Sequence, residues 1–174
     1  IAGGGAGWYV QTHTVASVVS LDVNPHVILG VGRQESVLSA TPMNEDGVDI
    51  LDGMDLRGVK LDVAMNAIVG SLLKNGYVDE LANSILITVE DADAERGARL
   101  RQELTAQTDA ILASTSVNGA ILSQTIQNSS QLQQLADEYG ISAGKAALIQ
   151  TIVEQSNGLH TFVELGGLSI NDLN

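Results

Sequence analysis

Apolar and polar residues alternate over 14–23, TVASVVSLDV, with Val15, Val19, Leu21 and Val23 on one side of an extended chain and Ala16, Val18, Ser20 and Asp22 on the other. A period of two predicts a strand. A second run, 26–31 (HVILGV), leads through Gly32, Arg33 and Gln34 into a third, 35–40 (ESVLSA), so an antiparallel pair joined by a tight turn is expected. The period then changes. Over 44–55, Ile50, Leu51 and Met54 fall on one side of a helix and Asp46, Asp49, Asp52 and Asp55 on the other, an acidic solvent face. Over 59–73, Leu61, Ala64, Met65, Ile68 and Leu72 mark the inner stripe of an amphipathic helix stopped by Asn75 and Gly76, with Tyr77 packed beside its end.

The run 85–89 (ILITV) predicts a compact apolar strand, and the acids between Glu90 and Glu95 sit where the dipole of a following helix favours them. That helix is expected to reach Ser114 and to be followed by a strand at 119–125. Strand, long helix, strand implies a crossover onto the same sheet. From Asn128 onward the pattern is helical, with helices over 130–139 and 142–155 and a last turn near 161–165. The fold class is therefore α/β (α+β): a small mixed sheet with an N-terminal strand, packed helices and a C-terminal helical hairpin. Its divisions are 1–13, an α/β body over 14–127, and a helical subdomain over 128–174 packed on that body.

Composition narrows the function more than the fold. The 174 residues are 44% hydrophobic and 17% charged, enough apolar surface to fold around a core. Aromatic residues make up only 3%, which leaves few surfaces for base stacking. A net charge of −13, from 21 acids against 8 Lys and Arg, repels phosphate backbones, so nucleic acid is not an expected partner. The absence of cysteine removes disulfides, thiol nucleophiles and Cys-ligated zinc, and the scattered His13, His26 and His160 lack metal-ligand spacing. No cofactor or metal is expected. The first nine residues, IAGGGAGWY, are uncharged and end in two aromatics, as at the outer end of a membrane span; a flexible glycine-rich linker is the alternative.

Several local patterns carry chemistry elsewhere and are declined here. The glycine run at 3–7 neither follows a strand nor ends in a Lys and Ser/Thr pair, so it is no phosphate loop. The acids of 46–55 do not follow the calcium-loop order. Ser142 and Lys145 match the Ser-x-x-Lys of penicillin-recognising enzymes without the partner motifs, and Ser142 reads as a helix N-cap. Residues 135–153 have the outline of a helix-turn-helix, but Lys145 is outweighed by Asp137, Glu138 and Glu154, so a packed helical hairpin is the better reading.

Leu21-Asp22-Val23-Asn24-Pro25-His26 is different. Proline has no N–H, so the usual attack of the following amide on an Asn side chain is closed. The remaining cyclisation is attack by the Asn24 side-chain nitrogen on its own main-chain carbonyl carbon, which forms a succinimide and expels Pro25 as a new N-terminal amine. That chemistry needs a proton for the leaving nitrogen, and Asp22 and His26 are the adjacent acid-base candidates. Asp22 shares a face with Asn24 if the strand persists, and His26 joins them if Pro25 leaves the alternation intact. The plain alternative is a strand-ending turn, since Asn-Pro commonly starts one.

Segment order adds a further argument. The run from Val18 to Val31, followed by Asn44-Glu-Asp-Gly47, Leu56-Arg-Gly58, Asn75-Gly-Tyr77 and the run from Tyr139 to Gln150, resembles the extracytoplasmic domain of RsgI-like anti-sigma-I factors over nearly the whole chain. The most specific stretch is Ser20 to Gly30, with 139–146 as a second anchor. Family members usually carry Ser after the proline, where this chain has His26, and often Asn-Arg where it has Gly32 and Arg33. The resemblance implies a domain outside the cell membrane that self-cleaves at Asn24-Pro25 in a single intramolecular turnover, with no external substrate, and keeps its own N-terminal fragment bound. It also implies a preceding transmembrane helix, a cytoplasmic segment outside this chain that holds a sigma factor, and a downstream intramembrane protease. A non-cleaving structural or ligand-binding ectodomain is the alternative.

Overall fold

The computed structural model describes residues 14–79 and 84–174. The juxtamembrane segment expected over 1–13 lies outside the described residues, as does His13. The elements follow the order β1 (Val15–Asp22), β2 (His26–Gly32), β3 (Val37–Pro42), α1 (Glu45–Leu51), α2 (Leu61–Lys74), β4 (Ser84–Asp91), α3 (Ala94–Ser114), β5 (Ala120–Ile126), α4 (Ser130–Tyr139), α5 (Ala143–Gln155), α6 (Phe162–Leu165) and α7 (Ile170–Leu173). The strands form one five-stranded mixed sheet in the order β3-β2-β1-β4-β5. β1 pairs antiparallel with both β2 and β4, so the first strand in sequence is the central strand in space. β5 runs parallel to β4, as the long crossover through α3 requires.

One face of the sheet carries the alternating set Val19 and Leu21 from β1, Val27, Leu29 and Val31 from β2, and Ile85, Ile87 and Val89 from β4. Against it pack Leu61, Met65, Ile68 and Leu72 of α2 and Leu100, Leu104 and Leu112 of α3, the stripes that the helical period marks. The opposite face carries Ser20, Asp22, Leu86 and Thr88 and is covered by the C-terminal helices. Leu132, Ala136 and Ala146 form a second, smaller cluster there with Ile126, Ile141 and Phe162. Gly144, in the first turn of α5, sits directly on β4: a β-carbon at this position would collide with Thr88 Oγ1 and lie 2.9 Å from Thr88 Cβ.

Several boundaries differ from the sequence expectation, each for a local reason. β3 begins at Val37 because Gly32, Ser36 and Glu35 close the turn by main-chain hydrogen bonds, with Glu35 at φ 58°. The acidic helix expected over 44–55 ends at Leu51, and Asp52 and Asp55 lie beyond it; Gly53, at φ 71°, follows its C-cap. α2 starts two residues later than Val59, whose carbonyl accepts the Val37 N–H at 2.8 Å and so belongs to the edge of β3. Tyr77 does lie by the end of α2, where its hydroxyl donates to Asp46 Oδ1 at 3.0 Å. α7 lies beyond the last turn expected from the pattern; Ser169 caps it and Ile170 is buried.

Candidate functional site

β1 stops at Asp22 and β2 starts at His26, so Val23, Asn24 and Pro25 form the turn between two paired strands. Val23 N–H donates to the Pro25 carbonyl at 3.0 Å across it. Asn24 is exposed and Pro25 is buried. The turn is seated on the start of α1. Asn44, the N-cap of that helix, accepts the Gly47 N–H at 2.8 Å through Oδ1. The same Oδ1 accepts the His26 N–H at 3.0 Å, while Nδ2 donates to the Asn24 main-chain carbonyl at 2.7 Å. One side-chain amide therefore grips the chain on both sides of the Asn24–Pro25 bond. Met43 N–H adds a bond to the His26 carbonyl at 2.8 Å. Gly47 is needed for this approach, because a β-carbon there would come within 2.5 Å of that carbonyl oxygen.

Asp22 and His26 do come together, though by a different route from the one the alternation offers. The strand does not persist to Asn24; instead the turn folds back and makes Asp22 and His26 a cross-strand pair. His26 Nε2 lies 3.7 Å from Asp22 Oδ1, beyond hydrogen-bond range, and is buried without a hydrogen-bond partner. Asp22 is 6% exposed. Its Oδ2 accepts the hydroxyls of Ser20 and Ser142, both at 2.9 Å. Burial pushes the Asp22 carboxyl above the usual carboxylate range, against the opposing pull of His26, the two hydroxyls and Lys145. The same burial lowers Lys145, which the charge of Asp22 partly offsets.

A cavity of about 330 Å³ opens beside the turn, bounded by Asp22, Asn24, His26, Asn44, Ser142 and Lys145 among others. Ser142 is the N-cap of α5 that its sequence context predicts, accepting the Lys145 N–H at 2.8 Å, and its hydroxyl proton is then spent on Asp22. The sequence marked Ser142 and Lys145 only to decline them, and it marked Asn44 only as a segment landmark. Nothing local to Asn44 points to a carbonyl twenty residues earlier.

Residues 16–151 match the family model for the central domain of RsgI-like anti-sigma factors. Among curated proteins of Acetivibrio thermocellus, the chain is similar to anti-sigma-I factor RsgI9, at 27% identity over 49% of this chain and 12% of that protein. It is also similar to anti-sigma-I factor RsgI5, at 20% identity over 83% of this chain and 31% of that protein. A third, anti-sigma-I factor RsgI6, is 24% identical over 48% of this chain and 11% of that protein. The chain thus spans less than a third of the length of each of these relatives. With a family match running from the central strand into α5, and the Asn24–Pro25 turn inside it, the chain belongs to the RsgI-like central-domain family of anti-sigma factors.

Proposed function

We propose that this chain is the extracytoplasmic part of a membrane-anchored anti-sigma factor, and that it cuts itself once at Asn24–Pro25 while holding both pieces together. The observation that carries this reading is the placement of the turn directly after the central strand. A break there frees the end of β1 without removing a single ladder bond to β2 or β4. The N-terminal piece stays seated by main-chain hydrogen bonds on both edges and by the burial of Val19 and Leu21. Drawing the strand out releases the stub. An intramembrane protease then acts on the preceding transmembrane helix, and the cytoplasmic segment gives up its sigma factor. No helix among the described residues is long and apolar enough to cross a membrane.

The scission balances without water. The Asn24 side-chain nitrogen forms a bond to the Asn24 main-chain carbon, the bond from that carbon to the Pro25 nitrogen breaks, and a proton moves from the attacking to the leaving nitrogen. Among the described residues the Asn24 side-chain amide takes no hydrogen bond, which leaves its nitrogen available. Asp22, whose carboxyl keeps its proton to higher pH than an exposed acid, and His26 are the groups for that proton transfer.

Mass spectrometry of the denatured chain tests the reading. Pieces corresponding to residues 1–24 and 25–174 are expected in the wild type, and an intact chain in Asn24→Ala. Before the succinimide hydrolyses, the two masses should sum to that of the uncut chain with no added water, which separates cyclisation from an outside protease. Under native conditions the pieces should elute as one particle. A wild type that stays whole through long incubation would return the turn to an ordinary hairpin in a structural or ligand-binding ectodomain.

A further inference from the structure

We infer that Asn44 is a catalytic residue of this scission, its side-chain amide stabilising the oxyanion that forms on the Asn24 main-chain oxygen; the inference rests on the self-cleavage reading above. When the Asn24 nitrogen adds to the carbonyl carbon, the carbonyl oxygen gains negative charge. Donors aimed at such an oxygen before reaction lower the barrier because they need not reorganise. Asn44 Nδ2 is already 2.7 Å from that oxygen.

The orientation of the amide is fixed rather than chosen. Its Oδ1 is held by two main-chain N–H groups, Gly47 at 2.8 Å and His26 at 3.0 Å, so the NH₂ end has to face Asn24. A flipped amide would set its carbonyl oxygen against another carbonyl oxygen and its NH₂ against two N–H groups. The His26 bond also immobilises the chain just past the leaving nitrogen. Asn44 therefore fixes the acyl side and the leaving side with one planar group, and the tight contact of Gly47 on the His26 carbonyl holds α1 in place to do so.

Asn44→Asp separates this role from the capping role. Asp is as good an N-cap as Asn and keeps both N–H partners, but it has no donor for Asn24 and places a carboxylate beside the forming oxyanion. At neutral pH we expect an intact far-UV spectrum, an unchanged urea midpoint to within the loss of one bond, and scission slowed about 10²-fold or more. Asn44→Ala, which loses cap and donor together, should slow it comparably. The two variants should part in acid: the protonated acid of Asn44→Asp regains a donor, so its rate climbs relative to Asn44→Ala as the pH falls through the titration of that carboxyl. Asp22, His26 and Lys145, which face the same cavity, are present in both variants, so the comparison is made as a ratio of their rates. If the wild type cuts and Asn44→Asp cuts at the same rate, or the two variants keep parallel pH profiles, the role assigned to Asn44 is overturned while scission stands. If the wild type stays whole, the scission reading itself fails.

Discussion

β1 meets a buried carboxyl group near each of its ends, and the surroundings of the two differ. Near its start, Ser17 pairs with Asp91 of β4, whose oxygens are fully engaged. Arg96 donates Nε to Oδ2 at 2.7 Å and Nη2 to Oδ1 at 2.6 Å, Ser17 adds its hydroxyl at 2.5 Å, and Asp93 N–H reaches Oδ1 at 2.7 Å. Burial alone would raise this carboxyl, but these four bonds together hold it below the usual range and keep it charged. At the far end Asp22 has two hydroxyls on one oxygen, a histidine out of bonding range of the other, and a carboxyl pushed up. One end of the strand is an anchor made of matched charges. The other carries an acid that burial pushes above the usual carboxylate range, next to the bond proposed to break.

The largest effect should come from breaking the anchor. Arg96→Ala leaves the Asp91 carboxylate, 4% exposed, without its guanidinium, and unfolding in urea should show a loss of about 3 kcal/mol. The sign with pH follows from the lowered carboxyl: its stabilisation is present above the ordinary carboxylate pKa and disappears as pH falls through the lower folded value. In Arg96→Ala that acid loss should begin at higher pH. A loss below about 0.5 kcal/mol would show the two ends to be energetically alike.

Gly144→Ala tests the lid over the other end. Its new methyl meets Thr88, so the first turn of α5 has to lift, taking Ser142 away from Asp22. A cost of about 2 kcal/mol is expected in the same assay, with faster amide exchange confined to α4 and α5. The smallest effect should have the opposite sign. Because burial raises the folded Asp22 carboxyl above its unfolded value, its charge costs stability once the pH exceeds the folded value and costs nothing below the unfolded one. Asp22→Asn keeps an oxygen for both hydroxyls and should be more stable than wild type by about 0.5–1 kcal/mol at neutral pH, with the gap closing on acidification. If Asp22 supplies the leaving proton, the same variant also cuts more slowly; equal scission rates would remove Asp22 from the chemistry.

What the sequence showed and what it hid divide along physical lines. The stripes Val19 with Leu21 and Leu61 with Met65 and Ile68 are local consequences of burial on one face, so period alone placed β1 and α2 and the sheet they cover. The cap at Ser142 is equally local. The candidate site is not. Asn24 and Pro25 were legible through their own covalent chemistry, but the contact of Asn44 with Asn24 and that of Ser142 with Asp22 join residues far apart in the chain through side chains already explained by capping. Asp22 and His26 were named as neighbours of the Asn24–Pro25 bond, with a shared face only if one strand continued through it; the hairpin brings them together as a cross-strand pair instead.

The central position of β1 has a consequence for folding as well. Asn44 and Asn24 meet only after α1 has docked on the β1–β2 turn, so a cut made through that contact can follow folding but cannot precede it. In the cut protein, recovery of the native state after loss of the strand is no longer a property of one chain. Two molecules have to meet, at the entropic cost of association, and the gap they refill runs through the middle of the sheet between β2 and β4. Refolding of cut protein should therefore depend on concentration where that of the intact Asn24→Ala chain does not, and at high dilution the departure of β1 becomes a step without a return.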